Sequence, residues 1–303
     1  MSRECGPHAS TVRAYAIDLD EIGGGDRSGT IEILLAIGGM HGHELSGSDC
    51  LLDLVQSARQ VGRIVAETDL AVCGENHAST LWGRRGELGP SLSRRRMWVV
   101  PTFSTFAACQ QPPHREEHGH DNNRQFFTSP EMRCARSPPK ANHLANLLLS
   151  LRRLDPLVRV TVVDYHNGFG RFGVWSRSYQ AYGMGHAVYG TEELVSQVVY
   201  LVNQKNANDT DTPVWSWAHG SLLGSPYVRG PEGSLREFCM HHDIRYALVE
   251  ISTRRKTDGE RRKDVVDTLL AVAKETLGPK PTKMLQSWHL VSKSDPTQNH
   301  PSV

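Results

Sequence analysis

Residues 31–44 read IEILLAIGGMHGHE. The stretch 31–38 (IEILLAIG) is a nearly continuous apolar run, the pattern of a strand buried on both faces rather than on alternate positions. Gly38 and Gly39 end it and let the backbone bend sharply. The segment 46–61 then has helical spacing, with Leu51, Leu52, Leu54 and Val55 as its apolar stripe and Ser46 or Ser48 as its cap. His41 and Glu44 stand three apart at this strand-to-helix junction. An imidazole and a carboxylate on one such turn can converge on a single cation, and zinc suits that mix of nitrogen and oxygen. On spacing alone the signal is weak, and a hydrogen-bonded turn histidine is the commoner reading.

Outward from this stretch, strands are expected at 11–18, 97–101, 158–164 and 244–252. Helices are expected at 141–154, 191–205 and 262–277. Residues 102–139 and 208–234 show no sustained period and read as irregular connections, which at such length are usually functional or mobile. Buried strands alternating with helices predict an α/β fold: a central mixed, mostly parallel sheet with helices on both faces. Ligands of such sheets sit at the carboxyl ends of the strands. Residues 1–10 are expected to be a flexible leader, 11–278 a single domain and 279–303 a flexible tail.

Composition narrows the function classes. The chain has 303 residues, 38% hydrophobic and 22% charged, enough to bury a sizeable core. Its formal net charge is +1, which gives no general attraction to nucleic acid, and no basic stripe with interleaved aromatics is present. The clusters Arg84-Arg85 and Arg94-Arg95-Arg96 read as solvated faces. No run of 18 apolar residues predicts a membrane span, and the first residues lack a signal-peptide apolar region, so a cytoplasmic protein is expected. Cys5, Cys50, Cys73, Cys109, Cys134 and Cys239 form no CxxC pair and are expected to be free, buried thiols.

Three further strings carry chemistry. VVDYHNG (162–168) puts His166 directly after a buried strand, with Asp164 two residues earlier on the same face. A carboxylate beside a ligating imidazole is the usual supporting arrangement, so His166 can complete a two-His, one-Glu site with an open position for water. YALVEIS (246–252) places Glu250 inside an apolar run, where an edge-strand glutamate facing water and a general base tuned by burial are both open readings. DNNRQF (121–126) offers Arg124 beside an Asn amide, a fork suited to a carboxylate.

In this order GGMHGHELSGS, DNNRQF, VVDYHNGFGRFG and YALVEIS resemble the zinc carboxypeptidase superfamily, which includes aspartoacylase and succinylglutamate desuccinylase. The match runs from about residue 31 to about residue 275, and HNGFGRFG is closest to a branch with a similar Gly-rich segment after the third ligand. The resemblance implies a three-layer zinc-carboxypeptidase-like fold with one Zn2+ per chain held by His41, Glu44 and His166. It implies Glu250 as general base, Arg115 as an oxyanion-stabilising group, and Asn123 and Arg124 as anchors of a free carboxylate. Tyr227 would close over the substrate from a mobile loop, and Leu235 would line a side-chain pocket. The implied reaction is metal-assisted hydrolysis of an amide next to a free carboxylate, in a peptide C-terminus or an N-acyl amino acid. The rival is a non-catalytic metal- or ligand-binding module on the same fold. The sequence departs from the family at His43, between the first two ligands, at Asn122, where an apolar residue is common, and in the 106–120 insert with His114, His118, His120 and the pair Glu116-Glu117.

Overall fold

The alternation of side chains along β2 (Ile31–Ile37) decides the architecture. Ile33, Leu35 and Ile37 enter one apolar cluster, while Leu34 and Ala36 enter another on the opposite side. A strand apolar on both faces must lie inside a sheet covered on both. The computed structural model describes residues 12–19, 30–70, 95–110, 112–113, 115–116, 119–153, 156–168, 187–207, 218–219, 231–253 and 257–293.

Among these residues one eight-stranded sheet is formed, in the order β3-β1-β4-β2-β5-β8-β6-β7. Its strands are β1 (Arg13–Asp18), β2, β3 (Ile64–Asp69), β4 (Arg95–Val100), β5 (Val158–Gly168), β6 (Ala187–Gly190), β7 (Ala218–His219) and β8 (Arg245–Ser252). The central four, β4, β2, β5 and β8, are parallel, and antiparallel pairs flank them on both sides. Helices α1 (Leu45–Gln60), α5 (Glu192–Ala207), α7 (Asp258–Leu277) and α8 (Pro279–Lys293) cover the face that carries Leu34, Tyr165 and Val249. Helices α4 (Pro139–Arg153) and α6 (Leu235–His241) cover the face that carries Leu35, Val162 and Tyr246. The short helices α2 (Thr105–Cys109) and α3 (Pro130–Arg136) lie in the connection between β4 and α4. This is the three-layer mixed sheet expected from the pattern of buried strands.

Several local expectations change. Ser46 and Ser48 do not cap α1. Glu44 occupies that position, and its side chain makes no cap bond. The stretch 102–139 holds α2, α3 and a one-turn 3-10 helix at Asn122–Arg124. Strand β5 continues past Asp164 to Gly168, so His166 lies within the sheet. Strands β3 and β6 and helix α6 were not expected. Their shortness and mixed polarity leave little periodic signal.

The segment after Gly278, expected to be a loose tail, begins as helix α8, and its Leu285 is buried against the core. Pro279 suits the first position of a helix. Residues 294–303, like the expected leader, lie outside the described residues. Cys50 and Cys239 are free and buried, while Cys134 is free but exposed. Cys109 is disulfide-bonded, contrary to the free-thiol expectation. Among the described residues, no helix is long and apolar enough to cross a membrane.

Candidate active site

The loop after β2 brings the first two predicted ligands together. Gly39 adopts φ +60°, a left-handed conformation that favours glycine. Gly42 packs so closely on Ala107 of α2 that a side chain would not fit. The turn closes with Glu44 N–H donating to His41 O at 3.0 Å. Glu44 leaves the α1 amides uncapped because its carboxylate faces two imidazoles. One oxygen lies 3.0 Å from His41 Nδ1, and the other 2.8 Å from His166 Nδ1.

His166 arrives from β5 on the face shared with Asp164. His41, Glu44 and His166 are all buried, and they form the single metal-ligand cluster of this kind among the described residues. Each histidine turns its other nitrogen to a carboxylate. His41 Nε2 lies 2.9 Å from Asp121 Oδ1, and His166 Nε2 lies 3.1 Å from Asp164 Oδ2. A carboxylate only accepts, so the proton of each neutral ring belongs on Nε2. Two Nδ1 lone pairs then face the Glu44 carboxylate, and His41 Nδ1 is buried without a hydrogen bond. Such a set repels itself unless a cation or shared proton lies at its centre, so the three residues fit a divalent metal.

The electrostatics agree. Burial alone would lower the His166 pKa, but Asp164 and Glu44 outweigh it and raise it well above the usual value. His41 is raised against burial by Asp121 and Glu44. Glu44 is held far below the carboxylate range by His166 and His41, against the opposing effect of its burial. The site therefore holds positive charge avidly.

Glu250 is the register partner of His166 across β5 and β8. Burial is the main cause that pushes its pKa up to about 7. Glu44 and Asp164 add to the rise, and His166 and His41 oppose it. A group titrating there can take a proton and return it near neutral pH.

The DNNR turn forms the neighbouring wall. Asp121 caps it by accepting from Asn123 N–H at 2.9 Å, and its second oxygen receives Arg115 Nη2 at 3.2 Å. Asn122, buried, donates to Ser104 Oγ at 2.7 Å and Met40 O at 3.3 Å, joining the turn to the ligand loop. Asn123 is buried, and its Oδ1 accepts the Leu235 N–H at 2.9 Å. Arg124 Nη1 donates to Asn123 O at 2.6 Å.

The structure thus brings His41, Glu44, His166 and Glu250 together, with Asn123 and Arg124 on the adjoining turn. Arg115 is half-exposed and reaches the site through Asp121 rather than by facing Glu44. The Leu235 side chain is fully buried among apolar residues of the α4–α6 face. Tyr227, His114 and His118 lie outside the described residues. His43 stays apart from the three-residue cluster, with Nε2 3.8 Å from Glu44, and lines a cavity of about 700 Å³ with Asn167, Thr253 and Arg262.

Three residues were not given roles from the sequence. Asp121 supports His41, and its place at the head of a short polar turn was the available signal. Tyr246 donates its hydroxyl to Asp164 at 2.8 Å. Arg236 is buried on α6. The last two depend on contacts distant in the chain and left no local signal.

No family model matches the chain, and no curated protein is detectably similar in sequence. Solved structures are similar in fold. The tripeptide-bound cell shape determinant Csd4 of Helicobacter pylori matches with a TM-score of 0.57 at 13% identity, over 95% of this chain and 61% of Csd4. The chain thus spans under two thirds of that protein's length. A metallopeptidase candidate from Shewanella amazonensis matches with a TM-score of 0.50 at 14% identity, over 87% of each chain. Thrombin activatable fibrinolysis inhibitor matches with a TM-score of 0.50 at 11% identity, over 91% of this chain and 66% of its own. The likeness is one of fold, a three-layer carboxypeptidase-like arrangement.

Proposed function

We propose that this chain, built on the zinc-carboxypeptidase fold, is a zinc-dependent hydrolase that cleaves an amide bond next to a free carboxylate. The observation that carries the reading is the convergence of two carboxylate-backed imidazoles on Glu44, with Glu250 beside them in register. A structural histidine pair would not need a half-buried, proton-accepting carboxylate at its side.

When bound, a zinc ion polarises the scissile carbonyl and makes water more acidic. The chain's own residues do the rest. Glu250, with its pKa near 7, accepts a proton from the attacking water and passes it to the leaving amine. Asp121 and Asp164 fix the ring orientations and tautomers of His41 and His166. Arg124, with Asn123, receives the substrate carboxylate and sets the scissile bond over the ligands. Arg115 would stabilise the developing oxyanion after exchanging its bond to Asp121. Tyr227 would cover the bound substrate.

Csd4 is described as a D,L-carboxypeptidase and has been seen with a tripeptide and with mDAP. This favours a peptide C-terminus over a small N-acyl amino acid here. The test uses zinc-loaded protein with peptides carrying free or amidated C-termini, and with N-acyl amino acids. Turnover restricted to free carboxylates, with KM raised at least about tenfold in Arg124→Ala, is the expected result. A zinc-loaded protein that binds these compounds without cleaving any of them would instead be a binding module.

A further inference from the structure

We propose that Arg236 selects the released amino acid: with Arg124 it forms a two-guanidinium receptor for a C-terminal residue carrying a second carboxylate, such as a glutamyl or aspartyl residue. The inference rests on the carboxylate-directed hydrolase reading above and specifies its substrate class.

Arg236 is only 6% exposed, and its Nε is buried without a hydrogen-bond partner. Among the described residues, no acidic side chain compensates it. A buried charge without a counter-charge is costly, and arginine is seldom kept that way unless something pairs with it. Its guanidinium carbon lies 5.9 Å from the centre of the Tyr189 ring, a cation–π contact that leaves the buried Nε without a hydrogen bond.

The location is that of the active site. Tyr189 on β6 pairs with Leu248, and Ala187, two residues earlier on the same face, pairs with Glu250. Arg236 therefore stands over the strip of sheet that leads to the general base. It follows Leu235, whose N–H is fixed to Asn123, the residue before Arg124. Arg124 is close enough for its charge to work against that of Arg236. Two arginines that repel each other beside a carboxylate-directed site, one of them unpaired and dehydrated, make a receptor for two negative groups. Bidentate geometry suits carboxylates at both.

The test compares hippuryl-glutamate with hippuryl-glutamine, its neutral isostere, on the zinc-loaded full chain. The wild type is expected to favour glutamate in kcat/KM by about 10- to 100-fold, the range for one charge-assisted bonded pair. Arg236→Gln should bring the ratio close to one, and Arg236→Lys should keep part of it. Equal rates on both substrates in the wild type, or an undiminished ratio in Arg236→Gln, would overturn the inference and leave the proposed hydrolase standing. If Arg236→Gln fails to fold, the wild-type ratio and the Arg236→Lys variant still decide. If neither compound is cleaved, the hydrolase reading fails, and calorimetry of glutamate against glutamine settles Arg236 separately. Glutamate held at least about tenfold more tightly, with the difference lost in Arg236→Gln, supports the receptor; equal binding overturns it.

Discussion

His166 on β5 and Glu250 on β8 are register partners on adjacent parallel strands. The proposed metal ligand and the proposed base are thus held at one level of the sheet, by backbone hydrogen bonds rather than by a loop. Glu250→Gln keeps the shape and removes the proposed base. It should retain zinc and lose about 10²- to 10⁴-fold in kcat, the usual contribution of a positioned acid–base group. In the wild type the active form is the carboxylate, so kcat/KM should rise with pH through the Glu250 pKa. Burial places that pKa at about 7 without metal, and a nearby cation pulls it lower. The acid limb is therefore expected below 7 and should vanish in the residual activity of Glu250→Gln. An unchanged limb in the variant would assign it to another group.

Metal removal should make stability depend on pH with a defined sign. Glu250, His41 and His166 all have raised pKa values in the folded chain. Their contribution is full below their unfolded values and is lost as pH rises through the folded ones. Glu44 and Asp121 are shifted down, so theirs is present at neutral pH and lost only in strong acid. The chelated protein should therefore be most stable at about pH 4 to 5 and weaken towards pH 8. A bound zinc ion would replace the shared protons, so its stabilising effect should grow over the same range. Melting curves with zinc and with chelator at several pH values check this. A chelated protein that gains stability between pH 6 and 8 would show that the proton count is wrong.

The support of His166 is a chain of contacts: Tyr246 hydroxyl to Asp164, and Asp164 to the outer imidazole nitrogen. Asp164→Asn removes the charge that orients the ring. Zinc affinity should fall by about 10- to 100-fold, as for other supporting carboxylates. Tyr246→Phe, which leaves the imidazole bond in place, should cost less. Competition with a chromophoric chelator measures both, and equal losses would mean that Asp164 acts through packing alone.

Helix α8 docks through Leu285, which is buried against α1 and α7. Leu285→Ala should destabilise the protein by about 2 to 4 kcal/mol, as for other buried leucines, read from urea unfolding. A change below about 0.5 kcal/mol, as for a surface position, would mean that α8 is peripheral.

The legible part of this chain was the part written locally. A run apolar on both faces announces a central strand, and the residues at its end announce the site, so β2, His41 and Glu44 could be read together. Glu250 stood out because a carboxylate interrupts an apolar strand. The connections that complete the site span long separations and have no period. Tyr246 and Asp164 lie 82 residues apart, as do Asn122 and Met40. Glu44 shows the same limit in miniature. Its position fits a helix cap, yet two histidines claim its carboxylate, and one of them comes from 122 residues away. Helix α8 was hidden by its proline, which reads as a break until it is placed at the first turn.

The central claim is that His41, Glu44 and His166 hold a catalytic metal. Elemental analysis of protein prepared with zinc tests it most directly, with Glu44→Ala and Glu250→Gln beside the wild type. One zinc per chain in the wild type and in Glu250→Gln, and none in Glu44→Ala, is the expected result. A wild type without stoichiometric metal, or a Glu44→Ala protein that retains it, would contradict the account.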